Sequence, residues 1–275
     1  MTLEVFGLGF SYGRVPVFSD VSFAVAPGQV VSVVGPNGSG KSTLLKCLNG
    51  LLSPARGRIS LKGKDIRRLE RRVLGRTMGY VPQGAEDTFG FSVLEMVLMG
   101  RAAHIGPFST PGPRDIQAAE QAVARVGLQD IADKSFNELS GGQAQLAIIA
   151  RALAAKPRLL LLDEPTSHLD IKNQAQILKV LCSLSREQGL SVFMTTHSPD
   201  HAFLFSDKVL MLRKEACPLF GEPRQVMTAE TVGMVFGIGV KIINTDSRTP
   251  DARTVVPDWL HAVGRNRLRR ENHAA

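Results

Sequence analysis

Residues 30–52 constrain the fold of this chain more than any other segment. The apolar run VVSVVG leads into the glycine-rich loop GPNGSGKST, and the helical pattern KSTLLKCLNGLL begins inside that loop. A short β-branched run that ends in a glycine is typical of a strand buried on both faces of a parallel sheet. A helix after such a strand can return the chain to the same sheet. The segment therefore predicts an α/β fold with a mostly parallel sheet.

The loop has the spacing of a P-loop, which lies between a strand and a helix. Glycines let backbone N–H groups curl around phosphate oxygens, and the following helix points its positive end at the same anion. Lys41 can reach the β- and γ-phosphates of ATP, and the Ser42 hydroxyl can ligate Mg²⁺. We therefore expect a P-loop NTPase that binds ATP and Mg²⁺. The predicted nucleotide-binding residues of the loop are Gly35, Pro36, Asn37, Gly38, Ser39, Gly40, Lys41, Ser42 and Thr43.

Two further apolar runs, LLLLDEP at 159–165 and LSVFMTTH at 190–197, also end in polar residues. The carboxyl ends of parallel strands share one edge of a sheet, so these ends are predicted to meet the P-loop at one site. Asp163 is the expected partner of Mg²⁺, because a buried carboxylate without a partner is costly. Glu164 is then placed to act as the base that deprotonates an attacking water. The alternative is that both carboxylates form surface ion pairs.

The middle of the chain has a helical pattern. A capping box, Ser92 followed by Glu95, opens a predicted helix, a stretch rich in proline and glycine follows at 102–115, and helical spacing then resumes. We interpret residues from about 84 to 156 as a mostly helical subdomain within an ATPase domain that spans 1–256.

The last part of the chain is predicted to begin with a β-hairpin at 208–221, and Thr228 can cap a short helix after it. The tail 257–275 is basic and is expected to be partly disordered.

A second glycine motif, LSGGQ at 139–143, opens the apolar helix pattern AQLAIIARAL. Ser140 and Gln143 have the spacing of a capping box, which explains part of the motif. Gly141 and Gly142 are not needed for such a box, and each lowers helix propensity by roughly 1 kcal/mol relative to alanine. Glycines at this position leave the helix amides open to an anion. The motif therefore predicts a second phosphate contact.

Together LSGGQ, the P-loop and LLLLDEPTSHLD resemble the nucleotide-binding subunit of an ABC transporter, over nearly the whole chain from about residue 3 to 256. The resemblance implies a P-loop NTPase fold with an antiparallel β subdomain and a helical signature subdomain. In that family the signature loop closes over the ATP held by another copy of the cassette. The resemblance thus implies a homodimer around two Mg²⁺-ATP. In this dimer the signature residues act in trans, namely Ser140, Gly141, Gly142 and Gln143.

The resemblance also assigns roles to single residues. Tyr12 matches the aromatic that stacks on adenine, with ordinary core packing as the alternative. Gln83 matches the residue that senses Mg²⁺ and the attacking water, and Asp170 matches the loop that communicates across the dimer. His197 matches the switch histidine that contacts the γ-phosphate, and Ala144 departs from the family, which commonly has a basic residue there. The implied catalytic residues are Glu164, His197 and Gln83, and the implied Mg²⁺ ligands are Ser42, Gln83 and Asp163.

A single cassette without a long apolar span disfavours fused exporters and twin-cassette translation factors. The gap of about a hundred residues between the P-loop and LSGGQ disfavours DNA-repair ATPases of the superfamily, which have a long coiled coil there. The stretches FSVLEMVLMGRAAHIGPFS and FGEPRQVMTAETVGMVFGIGVKI resemble importers for metal chelates, which handle iron–siderophores, haem, cobalamin and, in some members, molybdate or tungstate. This implies two transmembrane permease subunits, an external binding protein that acts indirectly, and a peripheral position on the cytoplasmic face of the membrane. A soluble cassette ATPase of iron–sulfur cluster assembly is the alternative.

Composition agrees with an anionic partner. The net charge of +8 suits a nucleotide, a nucleic acid or a membrane surface without selecting one. The basic clusters at 56–76 and 265–270 are most simply solvated surface, and no nucleic-acid partner is expected. Cys47, Cys182 and Cys217 have no CxxC spacing, so we expect neither a zinc site nor a disulfide framework.

Overall fold

Strands and helices alternate along most of the chain. The computed structural model describes residues 3–84, 90–213, 217–245 and 253–258. The strands are β1 Leu3–Tyr12, β2 Val15–Val25, β3 Val30–Val34, β4 Arg56–Leu61, β5 Lys64–Asp65, β6 Met78–Val81, β7 Leu159–Leu162, β8 Ser191–Thr196, β9 Lys208–Met211, β10 Leu219–Gly221, β11 Val240–Asn244 and β12 Arg253–Pro257. The helices are α1 Lys41–Leu48, α2 Arg71–Thr77, α3 Val93–Leu98, α4 Pro113–Arg125, α5 Gly141–Ala154, α6 Ile171–Gln188, α7 Pro199–Phe205, α8 Pro223–Val226 and α9 Ala229–Phe236.

The central sheet is built from the apolar runs of the sequence. Its strand order over the described residues is β10-β9-β3-β8-β7-β6, with β9, β3, β8, β7 and β6 parallel and β10 antiparallel at one edge. Every residue of β3, β7 and β8 is buried, as expected for strands covered on both faces. The predicted α/β fold with a mostly parallel sheet is confirmed. The carboxyl ends of β3, β8, β7 and β6 are therefore neighbours.

A second sheet, with the order β2-β1-β4-β5, is antiparallel. It packs with α1 against one face of the central sheet, in a core that includes Leu8 and Leu45. Phe23 of β2 stacks on Phe193 of β8 in this core, with 5.1 Å between the ring centroids. This is the antiparallel β subdomain that the resemblance implies, and its first strand ends at Tyr12.

Helices α3, α4, α5 and α6 cover the other face of the central sheet. Alternate residues of β7 enter the two cores: Leu160 and Leu162 pack with these helices, whereas Leu159 and Leu161 pack with α1. The predicted capping box of α3 is confirmed. Residues 102–112 form neither helix nor strand, as their prolines and glycines indicate, but the expected irregular stretch ends early, because Pro113 is the first residue of α4, a position that proline tolerates. The boundaries of the helical subdomain, 84–156, stay a prediction, and residues 85–89 lie outside the described ranges.

The end of the chain adds a third, smaller core. The predicted hairpin is confirmed as β9 paired with β10, and the Thr228 side chain caps α9 as expected. β11 and β12 form a two-stranded antiparallel sheet that packs with α7 and α9. Of the tail 257–275, Pro257 ends β12, and residues 259–275 with their basic cluster lie outside the described part. Within the described ranges, no helix has both the length and the apolar content to cross a bilayer.

Candidate active site

Two glycines shape the P-loop. Gly40 has φ +94°, and a Cβ there would meet Val17 Cγ1 at 2.7 Å. A Cβ on Gly35 would collide with the Leu212 carbonyl oxygen and approach Ser39 Oγ to 2.8 Å. Gly40 also precedes the first residue of α1 and makes no side-chain cap, so the N–H groups of the first helical turn stay available. The loop therefore presents a helix N-terminus to an anion.

The Lys41 ammonium is buried within the loop, where its side chain is 4% exposed. Lys41 Nζ donates to the carbonyl oxygens of Gly35 at 2.9 Å and Pro36 at 3.2 Å. It also lies 3.4 Å from Glu164 Oε1. A buried ammonium needs partners of this kind, because its desolvation is costly when it is unpaired. These contacts hold the cation at the base of the loop.

Asp163 follows β7 and is 3% exposed. Its Oδ1 accepts hydrogen bonds from Ser42 Oγ at 3.0 Å and from Thr195 Oγ1 at 2.7 Å. Thr195 Oγ1 in turn accepts from the backbone N–H of Glu164 at 2.8 Å. Burial, together with the nearby Asp163 charge, raises the pKa of Tyr80 to about 12. Asp163 is therefore a buried carboxylate with hydroxyl donors, which argues against the surface ion pair as its role.

Several side chains converge on the Glu164 carboxylate. Its Oε2 accepts from Gln83 Nε2 at 3.1 Å and from Ser167 Oγ at 3.0 Å, and it lies 3.6 Å from His197 Nδ1. The Glu164 backbone has φ +47°, a left-handed conformation that costs a non-glycine residue about 1–2 kcal/mol. Strained residues of this kind concentrate at functional sites. The hydrogen bond from Glu164 N–H to Thr195 fixes this conformation.

These groups face a cleft of about 1010 Å³. Tyr12 packs edge-on against Phe10, with ring centroids 4.9 Å apart, yet it is 53% exposed. The His197 side chain is 58% exposed. Exposure at the cleft argues against purely structural roles for both residues. The cleft is lined by Tyr12, Val17, Pro36, Asn37, Gly38, Gly40, Lys41, Ser42, Thr43, Gln83, Glu164, Ser167, His168, His197 and Phe236.

Most of the site residues expected from the sequence thus share one cleft. Gly35, Ser39 and Asp163 do not line it; Gly35 accepts from Lys41, Ser39 is buried in the loop, and Asp163 accepts from Ser42. The LSGGQ motif and Asp170 do not line it either.

LSGGQ and Asp170 are joined to each other instead. Ser140 and Gln143 form the predicted capping box, with Ser140 N–H donating to Gln143 Oε1 at 3.0 Å. Gly142 packs so closely on Asn173 that a Cβ would collide with its carboxamide. Asn173 N–H and Nδ2 donate to the Asp170 carboxylate at 2.7 and 3.1 Å. Gly142 therefore leaves room for the Asn173 carboxamide, a packing role that the sequence does not reveal.

Some residues of the site were not expected from the sequence. Thr195 Oγ1 donates to the Asp163 carboxylate and accepts from the Glu164 N–H, and the signal for it is the pair of threonines that ends the fully buried strand β8. Ser167 and His168 fall within LLLLDEPTSHLD, next to predicted residues, so proximity to Glu164 could have indicated them. Phe236 reaches the cleft from α9, and no local sequence pattern marks it.

The donors present suit a hard divalent cation. Ser42 Oγ and Asp163 Oδ1 are oxygen ligands 3.0 Å apart, and Mg²⁺ prefers oxygen ligands. Among the described residues, no three His, Cys, Asp or Glu side chains gather as a metal-binding group. The residues therefore fit an ion that takes most of its ligands from phosphate and water, as Mg²⁺ does beside nucleotides.

Comparison with known proteins gives the same family as the sequence motifs. The family model described as ABC transporter matches residues 18–167. The molybdate import ATP-binding protein of Haemophilus influenzae is 40% identical over 235 residues, which cover 85% of this chain and 87% of that protein.

Two solved structures are similar to the chain over most of its length. A chain of a structure described as an inward-facing metal-chelate type ABC transporter has a TM-score of 0.84 and 36% identity, and the match covers 95% of this chain and 98% of that one. A dimeric ATP-binding cassette in a post-hydrolysis state, bound to ADP and phosphate, has a TM-score of 0.70 and 27% identity, with 81% and 99% covered.

Proposed function

The chain belongs to the ABC transporter family, and from this premise we propose that it is the ATP-hydrolysing subunit of an importer for a metal chelate or a metal oxyanion. One observation carries the proposal: Lys41 and Gln83 meet the Glu164 carboxylate beside the Ser42–Asp163 pair. Phosphoryl transfer needs positioned charges more than covalent groups from the protein, and this cleft offers them.

Hydrolysis is assigned to side chains of the cleft. The P-loop amides and the N-terminus of α1 hold the β- and γ-phosphates, and Lys41 adds a full positive charge. Glu164 accepts a proton from the water that attacks the γ-phosphorus, and the bond from that phosphorus to the ADP oxygen breaks. Gln83 orients the water, and His197 donates to a γ-phosphate oxygen. Tyr12 stacks on the adenine at the exposed edge of the cleft.

Ser42 and Asp163, with Gln83, are the residues that would hold Mg²⁺. The ion, when bound, neutralises charge on the phosphates. Thr195 keeps Asp163 in place through its 2.7 Å hydrogen bond.

The LSGGQ motif completes the site of a second copy. Ser140 and Gly141 are exposed, and the motif lies outside its own chain's cleft lining. The similarity to a dimeric cassette that holds ADP and phosphate supports a homodimer. In this dimer Ser140 and Gly142 contact the γ-phosphate held by the partner copy, so ATP favours closure and loss of the γ-phosphate favours opening. Asp170, joined to Gly142 through Asn173, links the two sites.

Closure and opening drive two permease subunits, which place the ATPase at the cytoplasmic face of a membrane. An external binding protein delivers the cargo, and no nucleic acid takes part. The similarity to a molybdate importer subunit and to a metal-chelate type transporter supports this class of cargo. The cargo itself contacts the membrane subunits and the binding protein, so its identity lies in those chains. A soluble cassette ATPase is less favoured because both of these similar proteins are transporter components.

Transport in vesicles tests the proposal. The chain is reconstituted with the membrane subunits that co-purify with it, and ATP-dependent uptake is measured for iron chelates, haem, cobalamin, molybdate and tungstate. We expect uptake of one of these compounds with the wild-type chain and none with Glu164→Gln. Association with soluble scaffold proteins, together with no ATP-dependent uptake of any compound, would contradict the importer assignment.

A further inference from the structure

A basic groove lies at the edge of the central sheet opposite the nucleotide cleft. Its volume is about 530 Å³, and it shares no lining residue with that cleft. Arg158 and Leu190, which line the groove, immediately precede β7 and β8, whereas the nucleotide-binding residues follow the carboxyl ends of the strands. The groove is therefore a second concave surface, remote from the ATPase chemistry.

Three cationic side chains, Arg125, Lys156 and Arg158, line the groove, and no Asp or Glu does. In the part of the chain that the structure describes, none of the three side chains has a hydrogen-bond or ion-pair partner. The groove also includes the buried side chains of Leu153 and Leu190. It thus combines three unneutralised positive charges with an apolar base.

The negative C-terminal ends of three helices offset part of this positive charge. α4 ends at Arg125, α5 ends at Ala154 just before Lys156, and α6 ends at Gln188, which also lines the groove. Each helix C-terminus is equivalent to about −0.5 of an elementary charge. Three such ends offset roughly half of the three positive side chains, so the groove keeps a surplus of about +1.5 charges.

Lys156 has an unusual backbone conformation at the edge of the groove. Lys156 has φ +53°, a left-handed conformation that disfavours residues with a Cβ. At the end of α6, the left-handed position is occupied by Gly189, with φ +66°, the residue usually found there. Lys156 takes the corresponding place after α5, and its side chain lines the groove.

The base of the groove is held in place by the sheet. Arg158 N–H donates to the Thr77 carbonyl oxygen at 2.9 Å, and Ser191 N–H donates to the Arg158 carbonyl oxygen at 3.1 Å. Ser191 Oγ accepts from Gly28 N–H at 3.1 Å, which fixes the neighbouring loop. A ligand bound here would meet a fixed backbone and would connect α4 to the turn between α5 and β7.

We propose that this groove binds a small polyanion that carries phosphate groups. Guanidinium groups match phosphate oxygens in a two-pronged geometry, and the two arginines and one lysine suit a ligand with several negative charges. The volume falls within the range of small-molecule sites. The phosphates could belong to a soluble compound or to a lipid headgroup.

Tripolyphosphate is the probe for the soluble source. Because it also suits a P-loop, the full-length chain is first saturated with Mg²⁺-ADP, and binding is then titrated by calorimetry at low ionic strength. The test variant is Arg125→Gln/Lys156→Gln/Arg158→Gln. The matched control, Lys62→Gln/Lys64→Gln/Arg68→Gln, removes the same charge from exposed residues elsewhere. Unchanged binding of Mg²⁺-ADP shows that each variant is folded.

We expect saturable binding to the wild-type chain, weakened about tenfold or more in the groove variant and little changed in the control. Co-sedimentation with phosphatidylglycerol vesicles that depends on the same three residues would assign the phosphates to a headgroup, and independence of them would assign a soluble ligand. Equal losses in both variants, or no saturable binding of tripolyphosphate and no groove-dependent sedimentation, would overturn the proposal.

Discussion

At Glu164, the backbone and the side chain are fixed by different parts of the chain. Thr195 holds the backbone N–H, while Gln83 and Ser167 donate to the carboxylate. Because Glu164 directly follows LLLLD, the sequence was enough to predict that its carboxylate lies at the end of a buried strand. Its left-handed backbone was not predictable, because it depends on how the turn after β7 packs against β8.

Replacement of Glu164 by glutamine tests the proposed base. The amide keeps the shape of the side chain but cannot accept the proton of the attacking water, so we expect ATP turnover to fall about 10²- to 10⁴-fold. ATP affinity should change little, and an ATP-bound dimer should accumulate in size-exclusion chromatography. Turnover close to that of the wild-type chain would remove Glu164 from this role.

Lys41→Ala tests the proposed phosphate contact. The ammonium is the positive side chain buried in the loop, so its loss should weaken ATP binding about tenfold or more in a fluorescent-nucleotide titration. Lys46→Ala is the matched control, since Lys46 lies on the same helix but is exposed. If both variants bind ATP equally well, the loop is not the phosphate site.

Among the elements, those that form the site were the most predictable. β3, β7 and β8 are buried on both faces, so their sequences are uninterrupted apolar runs. By contrast α2, RRVLGRT, has a single buried residue, Leu74, and β11 and β12 have no fully buried residue. Their sequences have little hydrophobic periodicity, because they bury few residues of their own and depend on contacts with neighbouring elements.

The carboxyl end of β8 holds the end of β7 through Thr195. Thr195→Val keeps the shape of the side chain but leaves the buried Glu164 N–H and Asp163 without this hydroxyl, which should cost about 1–3 kcal/mol of unfolding free energy. Turnover should also fall, because the Asp163 carboxylate and the Glu164 backbone N–H each lose a hydrogen bond. Thr195→Ser, which keeps the hydroxyl, should recover most of the activity. A valine variant with wild-type stability and turnover would contradict this role.

Helix α1 carries Cys47, and burial raises the pKa of its thiol from its ordinary value of 9.0 to about 12. The folded chain therefore holds this proton more tightly than the unfolded chain, which adds to the free energy of unfolding. This contribution is complete below pH 9 and is lost as the pH rises from 9 toward 12. The loss approaches about 1.4 kcal/mol per pH unit.

Urea unfolding between pH 8 and 10.5 measures this loss. The slope of unfolding free energy against pH should be shallower in Cys47→Ala than in the wild-type chain. Cys217→Ala, which removes an exposed thiol, should leave the slope unchanged. Equal slopes in all three proteins would show that Cys47 does not titrate differently on folding.

Across the molecule, the two glycine-rich motifs lie on different surfaces. The P-loop lines the cleft, whereas Ser140 and Gly141 of LSGGQ are exposed elsewhere and the buried Gly142 packs on Asn173 of α6. The capping box was visible in the sequence, and so were the two glycines that such a box does not need. That the motif would lie outside its own chain's cleft was implied by the family resemblance alone, since no local pattern reports which surface a helix end occupies.

Disulfide crosslinking tests the composite site most directly. One chain carries Asn37→Cys and the other Ser140→Cys, both in a Glu164→Gln background with Cys182 and Cys217 replaced by alanine. We expect mixed chains to form a covalent heterodimer on mild oxidation with Mg²⁺-ATP, and far less of it with Mg²⁺-ADP. Absence of this crosslink while ATP is bound, or equal crosslinking with ADP, would contradict a site that two chains build together.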